Sequence, residues 1–422
     1  MQVPKVSEGR RWRLGVGVTL VVLALFVVAA ALGSTSGTKS AGSTKASKKG
    51  GYGEVYKADP KILAKTLFKA TLLPPPGMSR NIALAAYGRA SKKVNFNLAL
   101  KCWKNDGCKT GTNGKLTVAY VEPFGENVYR HISKMEFILQ ALTYKSIGRI
   151  IYKSAHSNPT QALTDFRAVI SQGADAIVSY PDFGDAAIPV FREATRRHIP
   201  VVTYAWGYVT GPGKNYTAVV GENVCKLGRA YAKIMNKYVK SGEIAFMGGF
   251  PGNPLSAGWQ KCERPALNKS IKVVASEPTN WDASKVQQVV SGILAAHPKI
   301  KGWSYEYGLG MAQGAFQAYK AAGKPFNAVL TLRTDDVGMG CKTRALKNPK
   351  LKVYYYTAGN SQIRVALTAA MMKLKGAKIP PKIVFPIQLQ SEAKRTECVK
   401  GYPQEASATS LVPLKLLHRM YP

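Results

Sequence analysis

Three observations predict an α/β protein of two doubly wound parallel-sheet lobes. From Lys115 onward, short apolar runs rich in Val, Ile and Tyr alternate with amphipathic stretches of helical length. Strand, helix, strand at this spacing calls for parallel strands with helices on both faces. About ten such strands are too many for one ordinary sheet, so two lobes are the economical arrangement.

The strands read, in order, as "KLTVAYV", "RIIYKSA", "DAIVSYP", "IPVVTYA", "YTAVVG", "EIAFMGG", "IKVVASE", "IKGWSYE", "AVLTLR", "KVYYYTAG" and "IVFPIQL". Between them lie helices such as "NPTQALTDFRAVISQGA" and "DASKVQQVVSGILAAHP", with Asn158 and Asp282 as N-caps. Gly173 closes the first of these and Pro298 stops the second.

Ahead of this pattern the chain has a different character. Lys5, Arg10, Arg11 and Arg13 precede Leu14–Leu32, an uncharged apolar run long enough to span a bilayer. The segment is expected to export the chain, either as a signal peptide cleaved near Gly33 or as an uncleaved membrane anchor. No Cys stands at its end, which argues against lipid attachment. Residues 34–53, rich in Ser, Gly, Thr and Lys, read as a flexible basic linker, and residues 54–114 as an N-terminal extension without an assigned role.

The segment "GGYGEVYKAD" looks like the glycine-rich loop of a protein kinase. A kinase also needs the first of its three glycines where Lys48 stands, a Val-Ala-x-Lys strand, His-Arg-Asp and Asp-Phe-Gly, and none is present. No Ser-His-Asp spacing, His-Glu-x-x-His or phosphate loop appears either, and the chain is expected not to be an enzyme. No cofactor is expected.

The charge balance is 60 Lys and Arg against 23 Asp and Glu, formally +37. Outside the cell this favours solubility or association with an anionic cell surface over nucleic acid. Export also makes the six Cys candidates for disulfides, with "CWKNDGC" suggesting a local Cys102–Cys108 loop. No Cys-x-x-Cys or clustered His supports metal ligation.

In doubly wound sheets, ligands bind beyond the carboxyl ends of the strands. The residues there include Phe124, Asn127 and Tyr129; Asp182; Tyr204 and Trp206; Asn253 and Trp259; Trp281; Glu306; Asp335; and Asn360. Aromatic rings interleaved with Asp, Asn and Glu suit a sugar, whose C–H face packs on a ring while its hydroxyls bond carboxylates and amides.

From about Gly114 to Gln390 the chain resembles the type I periplasmic binding proteins of the ribose-binding class, the substrate-binding components of sugar ABC transporters. The resemblance is carried by "SNPTQALTDFRAVISQGADAIVSYPDFGDAAIPVFREATRRHIPVVTY", "TNWDASKVQQVVSGILAAHPKIKGW", "MAQGAFQAYKAAGK" and the aspartate of "LRTDDVG". It implies a hinge of three crossovers, near Tyr216, Ala358 and Pro386, and closure of the lobes around one ligand. Residues 115–216 with 359–386 would form the first lobe, and 217–358 with 387–400 the second. Cys225, Cys262, Cys341 and Cys398 then all fall in the second lobe, which suggests Cys225–Cys262 and Cys341–Cys398 pairs.

Carried over residue by residue, Trp281 matches a ring that stacks on the sugar and Asp335 a carboxylate that bonds hydroxyls. Phe124 through Tyr129 matches a loop supplying Asn and aromatic rings. Ala205-Trp206, Trp259 with Lys261, Gly308-Leu309 and Ala358 depart from the Asp-Arg, Arg, Asn-Asp and Gln of ribose binders. The pocket so read is more aromatic and less charged, suited to a larger or less hydroxylated ligand. The implied function is capture of a sugar or sugar-like solute for an ABC permease. The alternatives are a ligand-sensing receptor that signals to a membrane partner, or a binder of a non-sugar solute.

Overall fold

A computed structural model describes residues 59–62, 73–125, 127–204, 209–334, 336–357, 359–391, 398 and 401–422. The predicted export segment at Leu14–Leu32 and the linker 34–53 lie outside the described residues. Among the described residues no helix is long and apolar enough to cross a membrane.

The first sheet contains β1 (Gly107–Lys109), β2 (Leu116–Glu122), β3 (Ile147–Ser154), β4 (Ala176–Ser179), β5 (Val201–Tyr204), β6 (Ala218–Glu222) and β12 (Lys382–Phe385), in the order β1-β3-β2-β4-β5-β6-β12. The second contains β7 (Gly242–Gly248), β8 (Ile271–Pro278), β9 (Gly302–Tyr305), β10 (Val329–Leu332), β11 (Lys352–Tyr355) and β13 (Gln390–Ser391), in the order β13-β11-β10-β9-β7-β8. Both contain the same winding, in which the chain steps to one side of its first long strand and then switches to the other. The central strands are apolar throughout: β4 and β5 are buried along their whole length, as strands covered on both faces must be.

Two edges differ from the all-parallel expectation. β1 pairs antiparallel with β3, and β13 pairs antiparallel with β11, so both sheets are mixed. β6 also pairs with β5 and β12 in the first sheet, so the first crossover follows Glu222 and not Tyr216. The physical reason is that "AVVGE" is a fully buried run that completes the first sheet before the chain leaves it.

The helices follow their predicted caps. In α4 (Pro159–Ser171) the Asn158 side chain accepts the Gln161 N–H at 3.0 Å, and in α8 (Ala283–Ala296) Asp282 accepts the Lys285 N–H at 2.7 Å. The N-terminal extension is integral to the first lobe. Its α1 (Met78–Arg89) packs on α11 (Gln362–Leu374), and its α2 (Phe96–Lys104) on α3 (Val128–Ala141). Cys102 and Cys108 are bonded, fastening α2 to β1. Cys225 is bonded to Cys262, joining α6 (Val224–Tyr238) to α7 (Pro254–Glu263), and Cys341 in α10 (Val337–Ala345) is bonded to Cys398.

The C-terminal residues make a further connection. Backbone N–H groups of Val337 and Gly338, at the start of α10 in the second lobe, donate to Ala406 and Gln404 at 2.9 and 2.7 Å. A few residues on, the Ser410 hydroxyl and the Leu411 N–H donate to Glu136 of α3 at 2.9 and 2.6 Å, and α12 (Leu414–Met420) packs into the first-lobe core.

Candidate functional site

The site lies where strand order reverses in each sheet, beyond β2 and β4 in the first lobe and β7 and β9 in the second. One cavity there collects Asn127, Tyr129, Arg130 and Tyr180 from the first lobe. Leu255, Trp281, Glu306, Tyr307, Arg333, Thr334 and Asp336 come from the second, and Glu405 from the C-terminal segment.

The first-lobe wall starts from a cap. The Asn127 side chain accepts the Arg130 N–H at 3.0 Å and so fixes the first turn of α3. The Arg130 guanidinium then lies 3.5 Å over the Tyr180 ring. It donates from Nη2 to Asp182 Oδ1 at 2.8 Å and from Nη1 to Glu122 Oε2 at 3.3 Å. Glu122 also accepts from the Tyr120 hydroxyl at 2.6 Å and from the Gly125 N–H. Two buried carboxylates thus share one guanidinium. Burial raises the Asp182 carboxyl to about 7 against the pull of Arg130, and the neighbouring Glu122 adds to the rise.

The second-lobe wall is built on Glu306, which follows β9 and is 2% exposed. Each of its oxygens accepts an indole N–H at 2.7 Å, Oε1 from Trp259 and Oε2 from Trp281. Burial pushes the Glu306 carboxyl up, while bonds from Ser256 and the two indoles draw it back. Trp281 reaches this position through a left-handed turn, Asn280 at φ 54° and Trp281 at φ 52°. It also needs Gly249, because a Cβ there would stand 2.4 Å from the indole Cζ2. Asp336 Oδ2 accepts the Leu309 N–H at 2.9 Å and the Thr334 hydroxyl.

The walls meet in two places. Arg333, directly after β10, donates through Nε to Glu222 at the end of β6. The Phe124 ring lies 5.6 Å from both Phe250 and Trp281 across the lobes.

Of the predicted ligand-binding residues, Asn127, Tyr129, Trp281 and Glu306 line the cavity, Phe124 packs on Trp281, and Asp182 stands behind Arg130. Others serve the framework. Trp259 is fully buried between the rings of Tyr231 and Phe246 and reaches the site only through its N–H to Glu306. Asn253 is the N-cap of α7, accepting from Leu255 and Ser256, so the loop ends there and Trp259 falls inside the helix. Tyr204 is buried, its hydroxyl 2.6 Å from that of Tyr120. Asn360 is buried and donates to the Tyr129 carbonyl and the Ser133 hydroxyl, bracing the first turns of α3. Trp206 and Asp335 lie outside the described residues.

The pocket is more charged than the sequence suggested. Arg130 and Arg333 both line it. One sits in an amphipathic helix, where a cation reads as a surface residue; the other directly ends an apolar strand, a signal that was open to reading. Glu405 lies beyond residue 400, outside both predicted lobes.

A family model described as a periplasmic binding protein domain matches residues 118–378. Ribose import binding protein RbsB of Bacillus subtilis (strain 168) is 25% identical over 244 residues, 58% of this chain and 77% of that one. Among solved structures, the periplasmic binding protein component of the arabinose ABC transporter from Shewanella sp. ANA-3 superposes with a TM-score of 0.59 at 20% identity, covering 66% of this chain and 92% of that one. The fructose binding periplasmic domain of a hybrid two component system superposes with a TM-score of 0.58 at 18% identity, covering 66% and 91%. With the matching residues spanning most of both sheets and both cavity walls, the chain belongs to the periplasmic binding protein domain family.

Proposed function

We propose that this protein captures a sugar or sugar-like solute outside the cytoplasm and presents it to an ABC permease. The observation that carries the reading is a cavity at the switch points of two facing sheets, lined from both lobes by a stacking ring and hydrogen-bonding side chains. The names of its relatives supply the solute class: ribose import for one, arabinose transport for another. Trp281 provides the ring face, while Asn127, Glu306 and Asp336 accept or share hydroxyl protons. Asp335, outside the described residues, is assigned the same role by its match to the family. The protein binds its solute and releases it unchanged. Leu14–Leu32 exports the chain, which then stays anchored or is freed near Gly33, and its basic character favours contact with an anionic cell surface.

A thermal-shift screen of the full-length chain, unfolded and refolded first to strip any carried ligand, tests this. A solute that binds only the folded state at a hundredfold excess over its Kd adds about 2.7 kcal/mol. A shift with pentoses, hexoses or polyols is expected. A shift with amino acids or purines alone would keep capture and overturn the sugar.

A further inference from the structure

The chain has only 23 acidic residues against 60 basic ones, yet six of the acidic residues converge on the cleft. Glu122, Asp182 and Glu222 back the two arginines, and Glu306, Asp336 and Glu405 line the cavity. Against them stand two guanidinium groups, Arg130 and Arg333. Six carboxylates against two cations leave a formal excess of four negative charges; with Asp182 protonated the excess is still three. A strongly basic protein has therefore built an acidic binding cleft.

The excess also appears in the hydrogen bonding. Asp182 Oδ2 and Glu222 Oε2, behind the arginines and outside the cavity lining, have no hydrogen-bond partner, so the two guanidinium groups do not fully compensate the carboxylates that back them. Glu405, half-buried, makes no hydrogen bond or ion pair among the described residues. A carboxylate on the cavity wall without a protein donor is open to one from a ligand. A neutral polyol brings donors but no charge. An ammonium brings three donors, no acceptor and the compensating charge.

Resting on the solute-capture reading above, we propose that the ligand is an amine-bearing ring, an amino sugar or aminocyclitol. Its ring packs on Trp281, and its ammonium lies against the carboxylates of Glu405, Glu306 and Asp336. The C-terminal segment, beyond the matched family domain, then supplies a specificity-determining residue in Glu405.

Calorimetric titration of the refolded full-length chain at neutral pH tests this with matched pairs. The probes are D-glucosamine against D-glucose, D-galactosamine against D-galactose, and 2-deoxystreptamine against myo-inositol, with N-acetyl-D-glucosamine as a neutral control. In at least one pair the amine is expected to bind tenfold or more tightly than its hydroxyl counterpart, with acetylation abolishing the preference. Glu405→Gln is expected to shrink that preference several-fold while leaving near-UV circular dichroism unchanged. Hydroxyl members binding as well as or better than the amines would overturn the inference and leave sugar capture standing. Silence across every pair would overturn the inference, and silence in the wider thermal-shift screen as well would overturn sugar capture. An amine preference that Glu405→Gln leaves intact would remove Glu405 from the site.

Discussion

In the first lobe the cavity wall is a guanidinium held between two carboxylates, Arg130 with Glu122 and Asp182. In the second it is a carboxylate held between two indoles, Glu306 with Trp259 and Trp281. The two sheets wind alike, and the walls stand at equivalent strand ends. Topology thus chooses where the wall forms, while the residues after each strand choose its chemistry. The first wall is a buried ion-pair network centred on Arg130, so it is part of the framework. The second leaves the Trp281 ring half-buried at the cavity, so it is free to touch a ligand.

The largest expected effect tests the first wall. Arg130→Met strips the shared cation from two buried carboxylates and should cost about 3–5 kcal/mol of stability, read from the urea midpoint. A loss under about 1 kcal/mol would mean that the network does not hold the lobe together. Next comes the second wall. Trp281→Ala removes the stacking face and one donor to Glu306, and should weaken binding of the solute returned by the thermal-shift screen by about 1–3 kcal/mol, roughly 5- to 150-fold. Its urea midpoint should move less than that of Arg130→Met. If the order of the two stability losses is reversed, the division of labour between the lobes is wrong.

The smallest effect is a pH slope. Asp182 has its carboxyl raised to about 7 by burial, so the folded chain keeps a proton that the unfolded chain loses above about pH 4. Its stabilising contribution is full below that pH and fades as pH climbs through 7. The melting temperature of the wild type relative to Asp182→Asn should therefore fall between about pH 4.5 and pH 7.5. A flat difference would show that Asp182 is ionised throughout, with Arg130 outweighing burial.

The central strands were legible because burial on both faces leaves continuous apolar runs, and the α4 and α8 caps because Asn158 and Asp282 sit directly before helical periodicity. The β1 edge strand was not, since three residues with a Gly and a Cys carry no alternation. Among the site residues, Trp281 and Trp259 looked alike as post-strand aromatics. The Asn253-Pro254 cap signal separates them, because it puts Trp259 one turn inside a helix whose inner face is core. Arg130 was overlooked for a physical reason: its burial depends on carboxylates 8 and 52 residues away, which no local pattern reveals.

The C-terminal segment bears on rates. It is hydrogen-bonded to α10 on one lobe and to Glu136 on the other, and its disulfide at Cys398 fixes it covalently to α10. Any swing that parts the lobes must break the Val337–Ala406 and Gly338–Gln404 bonds or tear Leu411 from Glu136. Solute escape is therefore tied to local detachment of a short peptide as well as to bending at the hinge, so residence time can be tuned at Ala406–Leu411, beside Glu405 but outside the cavity lining.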